Sequence, residues 1–499
     1  MGIFRLAVVG VLATASTDCF ASNLLDFYLQ AKEHDQQYQT ALHQRDAAVE
    51  ARPSAWSYVL PQLNTTDTIA GNRLHVLSSE QSGAGSINNG GGNNGEPSPA
   101  TTASLSHYGT RDFSVTLTQT VFDWSAFMSL AQASAQVAQA EATLRSAQQS
   151  LITRTANAYF AVLTARDNLG VDLKIHASYK EQLLQGQAKY KAGLVDITDV
   201  RNAQASYDSS NSSIINDRIA LSEAVRALSL IVGQPVTMVS DVRGNIPLQP
   251  PQPANEADWV VAALQNNPDM LTAYYAEKSA KKEIGITEGK YLPTLSLQGS
   301  VGRDTSHSPF GDDYTSDSIG LTLNWNVFNG GLLQSQVRTA KANHAASEST
   351  LELQRRTTDQ NTRNDYQQVV EGIDAIRANR LAVLPSQASL VATQAGPRTE
   401  QDVIIATQNM AAAEKSYYQS RHTYLSSVLA LKQDAGYLTD ADVANINRFL
   451  EVAPVGALEP SPDLPLSGSP DSDEALSMAD DAKGGSLLLD VSPVPAAAP

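Results

Sequence analysis

Residues 113–151 read FSVTLTQTVFDWSAFMSLAQASAQVAQAEATLRSAQQSL, and a change of period inside this stretch decides the architecture. Up to Phe122 the pattern has a period of two: Phe113, Val115 and Leu117 alternate with Ser114, Thr116 and Thr118. That is a strand with one apolar and one polar face. Beyond Phe122, Leu130, Ala133, Val137, Ala140, Leu144, Ala147 and Leu151 recur at alternating spacings of three and four, a heptad seam. The chain then runs to Ala192 without proline and with only Gly170 and Gly186 inside it. Roughly 68 helical residues at about 1.5 Å each predict a rod of roughly 100 Å.

The same unit occurs twice. Leu60-Pro61-Gln62-Leu63 returns as Leu292-Pro293-Thr294-Leu295, and Thr116–Phe122 returns as Thr322–Phe328. Ala192-Gly193 followed by Asp199-Val200 returns as Ala395-Gly396 followed by Asp402-Val403. The offset between copies shrinks along the chain, which places an insertion in the first copy; it is visible as the Gly/Asn/Ser-rich tract 82–99, read as a flexible loop. In the second copy Ile319, Leu321, Leu323, Trp325 and Val327 alternate with polar residues and glycine, as do Leu295, Leu297 and Val301. Val403, Ala406, Met410, Tyr417, Tyr424 and Leu431 repeat the helical frame.

The expected organisation follows. A first repeat at 22–236 holds strands near 62–76 and 111–122 and helices near 125–192 and 198–232. A Pro-rich connector covers 237–255. A second repeat at 256–438 holds strands near 294–304 and 318–328 and helices near 331–394 and 400–434. The C-terminal segment 439–499 reads as a largely disordered tail.

Residues 1–21 read as a signal peptide: Arg5, an apolar run from Leu6 to Ala15, and small residues ahead of the cut after Ala21. Cys19 is the only cysteine, and Ser16-Thr17-Asp18 before it do not form a lipidation signal, so the mature chain is expected to carry no thiol. A net charge of −17 argues against nucleic acid as a partner. Nothing offers about twenty consecutive apolar residues, so any membrane span must be a β-barrel. Four strands have two open edges, whose unpaired N–H and C=O groups cost several kcal/mol each in lipid. The chain is therefore expected to close its barrel with further copies of itself, and a conducting lumen favours three copies over two.

This order of signal peptide, helix, strand, loop, strand, long helix, Gly-x5-Asp-Val tip and helix, all repeated, resembles the TolC outer-membrane efflux family over roughly 24–438. Thr116–Asp123, Asn157-Ala158-Tyr159-Phe160, Ala192–Asn202 and Tyr291–Leu297 carry the similarity. The resemblance implies a mixed fold, a membrane β-barrel plus a long α-helical coiled-coil barrel. It implies a homotrimer with four strands per chain, a 12-strand barrel in outer-membrane lipid and a 12-helix periplasmic tunnel. It also implies a periplasmic adaptor protein and an inner-membrane RND or ABC transporter as partners, in efflux or type I secretion. Carried over by position, the periplasmic gate is Thr198, Asp199 and Arg398, the pore-lining acidic ring is Asp402, and the helix-tip turns are Gly193 and Gly396. The family's gate tyrosine is replaced by Thr393 and its second acidic ring by Ile405, and Pro397 precedes Arg398. The plainer readings are first-turn helix chemistry for Asp199 and Asp402 and an ordinary exposed side chain for Arg398.

No catalytic constellation is expected. Histidines 34, 43, 75, 107, 176, 307, 344 and 422 are scattered without ligand spacing, so neither metal nor cofactor is expected. The glycine tract Gly90–Gly95 lacks the Lys-Ser/Thr of a phosphate loop, and Asp312-Asp313 reads as a solvated loop. The competing function is a periplasmic coiled-coil adaptor or spacer without a barrel.

Overall fold

The computed structural model describes residues 23–77, 103–242, 248–306, 313–395, 399–448 and 450–451. The expected signal peptide with Cys19, the 82–99 insertion with its glycine tract, Asp312, Gly396, Pro397, Arg398 and the end of the C-terminal segment lie outside these residues.

The chain begins with α1 (Leu24–His34), α2 (Gln36–Val49) and α3 (Ala51–Ser57), followed by the strands β1 (Gln62–Leu77) and β2 (Ala103–Phe122). Two long helices follow, α4 (Trp124–Lys191) and α5 (Ile197–Val232). A short strand β3 (Asp241–Val242) leads to α6 (Glu256–Asn266) and α7 (Pro268–Gly289). The second half then has β4 (Thr294–Ser306), β5 (Tyr314–Asn324), α8 (Leu332–Ala395) and α9 (Glu400–Asp434), and ends in α10 (Asp440–Asn447) and β6 (Leu450–Glu451).

The four long strands form one antiparallel sheet in the order β1-β2-β4-β5, so β1 and β5 are each paired on one side only. Cross-strand partners share a face, and toward the helices the register sorts polar from apolar rows, while farther out Asp67, Arg111, Arg303 and Asp317 fall on the otherwise apolar face. Asn64, Thr116, Ser300 and Ser318 form one row, and Thr66, Ser114, Gly302 and Ser316 the next, all polar or glycine. On the other face Leu63, Leu117, Gly299 and Ile319 form a row, with Leu297–Leu321 and Leu295–Leu323 beside it. These apolar side chains face outward, with Ile319 80% and Leu321 67% exposed. Around the junction of strands and helices stand exposed aromatics: Trp56, Tyr58, Phe122, Trp124, Tyr291 and Trp325.

Two strand boundaries differ from the sequence expectation. β2 begins at Ala103 rather than near 111, because its polar start pairs with the far end of β1, Ala103 opposite Leu77. β5 stops at Asn324 rather than 328: its partner β4 starts at Thr294, and Pro293 before it has no N–H to extend the ladder.

α4 is 68 residues long, about 100 Å at 1.5 Å per residue. Asp123 caps it by accepting from Ala126 N at 3.2 Å. A Cβ on Gly289 would lie 2.7 Å from Trp124 Cδ1, so the end of α7 can seat against the start of α4 only as glycine. A continuously buried row on α4 runs through Ala135, Ala142, Gln149, Ala156 and Leu163, repeating every seven residues. The seam chosen from sequence is only half-buried, apart from Ala133 and Leu151. The reason is that α4 packs against α5, α7 and α9 at once and presents more than one apolar row. Among the described residues no helix is long and apolar enough to cross a membrane.

The core lies midway along the long helices. Leu24, Phe27, Tyr28 and Ala31 of α1 meet Leu151, Ile152, Tyr159 and Leu163 of α4, Leu228 of α5, Val369 of α8 and Leu429 of α9. Within the C-terminal segment, Val443 and Ile446 of α10 and Leu450 complete this core and β6 pairs with β3. β3 likewise gives the Pro-rich connector a fixed anchor. Leu163 is fully buried; Leu163→Ala is expected to lower unfolding stability by about 2–5 kcal/mol, read by denaturant titration of helical circular dichroism.

Candidate functional site

The helices that start at the two tips are capped differently. At the first, α4 ends in a turn where Gly193 N donates to Tyr190 O at 2.9 Å and Leu194 N to Lys189 O at 2.9 Å. Gly193 sits at φ 74°, left-handed backbone that glycine adopts without steric cost. Asp196 then caps α5, its side chain accepting from Thr198 N at 3.4 Å. Thr198 and Asp199 therefore fall in the first turn of α5, with Thr198 exposed and Asp199 half-buried. Because Asp196 does the capping, Asp199 makes no side-chain hydrogen bond or ion pair among the described residues. Leu194 is 75% exposed at the extremity of this tip.

At the second tip, Thr399 caps α9 and Asp402 closes a reciprocal box with it. Asp402 N donates to Thr399 Oγ1 at 3.2 Å, while Asp402 Oδ2 accepts from Thr399 N at 3.2 Å and Thr399 Oγ1 at 2.9 Å. Asp402 is thus helix-start chemistry in part, and it is also exposed. Ile405 is 45% exposed one turn above. Thr393 Oγ1 turns back to its own helix, donating to Ser389 O. Gly396 and Arg398 lie outside the described residues.

Further up, charged groups that sequence reasoning missed join the two long hairpins. Lys415 of α9 reaches Asp172 of α4 at 2.5 Å and lies 3.8 Å from Asp217 of α5. Asp172 is nearly buried. Burial, and then a hydrogen bond shared with Asp172, pushes the Asp217 carboxyl up to about 6 against the pull of Lys415. The cluster edges a cleft of about 490 Å³ lined by Tyr179, Ser206, Ser210, Gln408 and Ala411. Toward the core, Arg166 holds Asp167 at 2.7 Å and Asp241 at 2.9 Å, and Arg421 donates to Val242 O at 3.0 Å. His422 accompanies them with Nδ1 2.8 Å from Thr164 Oγ1; burial, then the nearby Arg421 charge, pushes it down to about 4, so it is neutral at pH 7.

Two further groupings went unseen in the sequence. Asp365 of α8 and Asp434 of α9 share a hydrogen bond, and burial followed by the Asp365 charge lifts Asp434 to about 7. Glu277 of α7 and His344 and Glu348 of α8 converge. The partners are far apart in sequence, so no local spacing reported them, save that His344 and Glu348 stand four apart on one helix face.

The family described as Outer membrane efflux protein matches this chain at residues 27–234 and 259–436. Outer membrane protein TolC of Vibrio cholerae is 30% identical over 460 residues, covering 90% of this chain and 99% of the relative. Alkaline protease secretion protein AprF of Pseudomonas aeruginosa is 27% identical, covering 85% of this chain and 87% of the relative. Among solved structures, the outer membrane protein VceC of Vibrio cholerae superposes with a TM-score of 0.67 at 18% identity, over 83% of this chain and 96% of that one.

The Asp172–Lys415–Asp217 clasp has a pH signature. A carboxyl raised in the folded state contributes stability that is full below its ordinary value of 3.8 and is lost as pH rises through about 6. Asp217→Asn is expected to flatten the fall in melting temperature between about pH 4 and 6. Lys415→Met strands the buried Asp172 and is expected to cost about 3 kcal/mol, the low end for a broken buried pair because Lys415 is itself 31% exposed. Thermal melts of both variants across pH check the two effects.

Proposed function

The chain belongs to the outer membrane efflux protein family, and from that premise we propose a gated exit duct that conducts and catalyses nothing. It is an outer-membrane channel for efflux and type I secretion, with helices that reach into the periplasm. The single observation that carries the physical reading is the two-faced sheet with both edges open, rooted on helices about 100 Å long. A periplasmic spacer would gain nothing from an outward row of Leu63, Leu117, Ile319 and Leu321, whereas lipid accepts it. The aromatics at the strand–helix junction suit the membrane interface.

The finer assembly rests on closure. Three copies supply twelve strands, remove every edge and leave a lumen walled by Asn64, Thr116, Ser300 and Ser318. The half-buried rows of α4, α5, α8 and α9 then meet neighbouring copies in a 12-helix tunnel. The tips converge on the axis, where an inner-membrane RND or ABC pump and its periplasmic adaptor act. AprF is named for protease secretion, which favours protein cargo as well as small solutes.

Within this duct the gate is Thr198, Asp199 and Arg398, with Asp402 ringing the pore and Gly193 and Gly396 turning the tips. Asp199 suits the role because Asp196 already caps its helix. Asp402 can serve both as helix-start partner and as one of three axial carboxylates attracting cations. Ile405 in place of a second acidic ring weakens cation selectivity relative to two-ring channels.

In planar bilayers the purified protein is expected to give small, cation-selective steps. Three exposed links of about 0.5 kcal/mol each sum to roughly tenfold in the closed-to-open ratio, so Arg398→Ala and Asp199→Asn should each raise open occupancy by about that factor. Unchanged gating would discard these residues as a latch, and absence of insertion would return the spacer reading. Ile405→Asp is expected to strengthen block by divalent cations applied from the periplasmic side; recordings with no added block would discard the ring argument.

A further inference from the structure

Glu277, His344 and Glu348 bring one donor atom each to within 4.8 Å of one another. Glu277 projects from α7, while His344 and Glu348 lie one turn apart on α8. His344 Nε2 is 2.7 Å from Glu277 Oε1, and Nδ1 is 3.8 Å from Glu348 Oε1. The Glu277 and His344 side chains are 14% and 15% exposed, so their contact is part of the helix–helix interface; Glu348 is 59% exposed and free to swing.

The charge balance is unusual. Glu277 is largely withdrawn from water, yet among the described residues neither it nor Glu348 forms an ion pair with lysine or arginine. The nearest permanent cation in this stretch of α8, Lys341, is held by Glu288 at 3.1 Å. Three other withdrawn carboxylates have such a partner, Asp35 with Arg154, Asp172 with Lys415 and Asp167 with Arg166, whereas Asp365 and Asp434 share a hydrogen bond with each other instead. Two carboxylates facing one imidazole carry a net negative charge that a cation would relieve.

We propose that these three side chains form a binding site for a first-row divalent transition metal, which clips α7 to α8. One imidazole nitrogen and two carboxylate oxygens without sulfur suit Zn²⁺ and its neighbours better than soft or purely oxygen-seeking ions. A zinc ion with ligands at about 2.0–2.2 Å holds adjacent donor atoms roughly 3.3–3.5 Å apart. The Glu277–His344 pair therefore opens by under about 1 Å, the exposed Glu348 closes in, and a water completes the shell. The metal displaces the hydrogen between Glu277 and His344, so binding releases a proton when the imidazole is protonated.

The clip has a defined place. Glu277 lies about 12 residues before the end of α7 and His344 about 12 residues after the start of α8, so both stand roughly 18 Å from the strand-side ends of their helices. Those two helices feed β4 and leave β5. The bound ion would stiffen the base of the second strand hairpin, one link beyond Lys341–Glu288.

The test is calorimetric titration of Zn²⁺ into the tag-free, chelator-stripped protein in detergent, with melting temperatures measured in parallel. Wild type is expected to bind one ion per chain saturably and to melt higher with Zn²⁺. His344→Ala and Glu277→Gln are each expected to weaken binding by more than about tenfold and to abolish the melting shift. Glu277→Gln preserves the shape of the interface and decides the matter if His344→Ala does not fold. Binding unchanged in Glu277→Gln would place any ion on the face of α8 alone and overturn the clip; so would the absence of a saturable site in wild type.

Discussion

A strand edge cannot be left open in hydrocarbon, and the rest of this molecule is arranged around that constraint. Water is not available there to satisfy N–H and C=O groups, and each unpaired group costs several kcal/mol. β1 and β5 are unpaired on their outer sides within one chain. In the proposed assembly, closing the sheet with other copies would fix the oligomer, and the oligomer would fix how many long helices hang beneath the barrel. The two-faced register makes closure productive. Rows such as Asn64–Thr116–Ser300–Ser318 become a wet wall at the same moment that Leu63–Leu117–Gly299–Ile319 becomes a lipid-facing one.

Much of this was legible in sequence because strands and long helices announce themselves by period. The alternation from Ile319 to Leu323 puts every second residue on the lipid face, and β5 has that register. The run after Phe122 lacked breakers, and α4 fills it from Trp124 to Lys191. Where pairing rather than pattern decides, the reading slipped. Trp325 and Val327 keep the alternation but have no partner strand, since β4 begins after Pro293. The α4 seam also slipped, because Leu130 and Leu144 are conspicuous while the alanines at 135 and 142 are not, yet small side chains are what close helix approach requires. Val443, Ile446 and Leu450 precede the stretch that reads as a tail, and their place in the core depends on β3, some two hundred residues earlier in the chain.

The charged interior was illegible for a different reason. A seam between antiparallel helices pairs residues whose separation in sequence carries no signature, so Asp172 and Lys415, or Thr164 and His422, cannot be matched by spacing. Yet these groups bear on how the two hairpins move. Purely apolar contacts carry little directional preference, whereas a nearly buried carboxylate held by a lysine has few good partners. The Asp172–Lys415–Asp217 cluster therefore sets the register between the first hairpin and α9, and a motion that shifts one hairpin past the other must either carry the cluster intact or hydrate it.

The tips show why register matters at the far end of such long levers. α5 and α9 start with the same geometry, a capping residue followed three positions later by aspartate, Asp196 with Asp199 and Thr399 with Asp402. They differ in who satisfies the helix start. At the second tip Thr399 and Asp402 bond reciprocally, so the acidic group takes part in its own helix start. At the first tip Asp196 and the glycine turn complete the job without Asp199. Among the described residues the first tip thus has a carboxylate that its own helix start does not use, which the proposed gate would employ. An exposed link of that kind is worth at most about 1 kcal/mol, too little to hold a tunnel shut by itself. It can bias a two-state end only because the seams and the clasp above it leave few alternative arrangements. In the proposed duct the packed shaft would limit the states, and a small polar difference at the tip would choose between them.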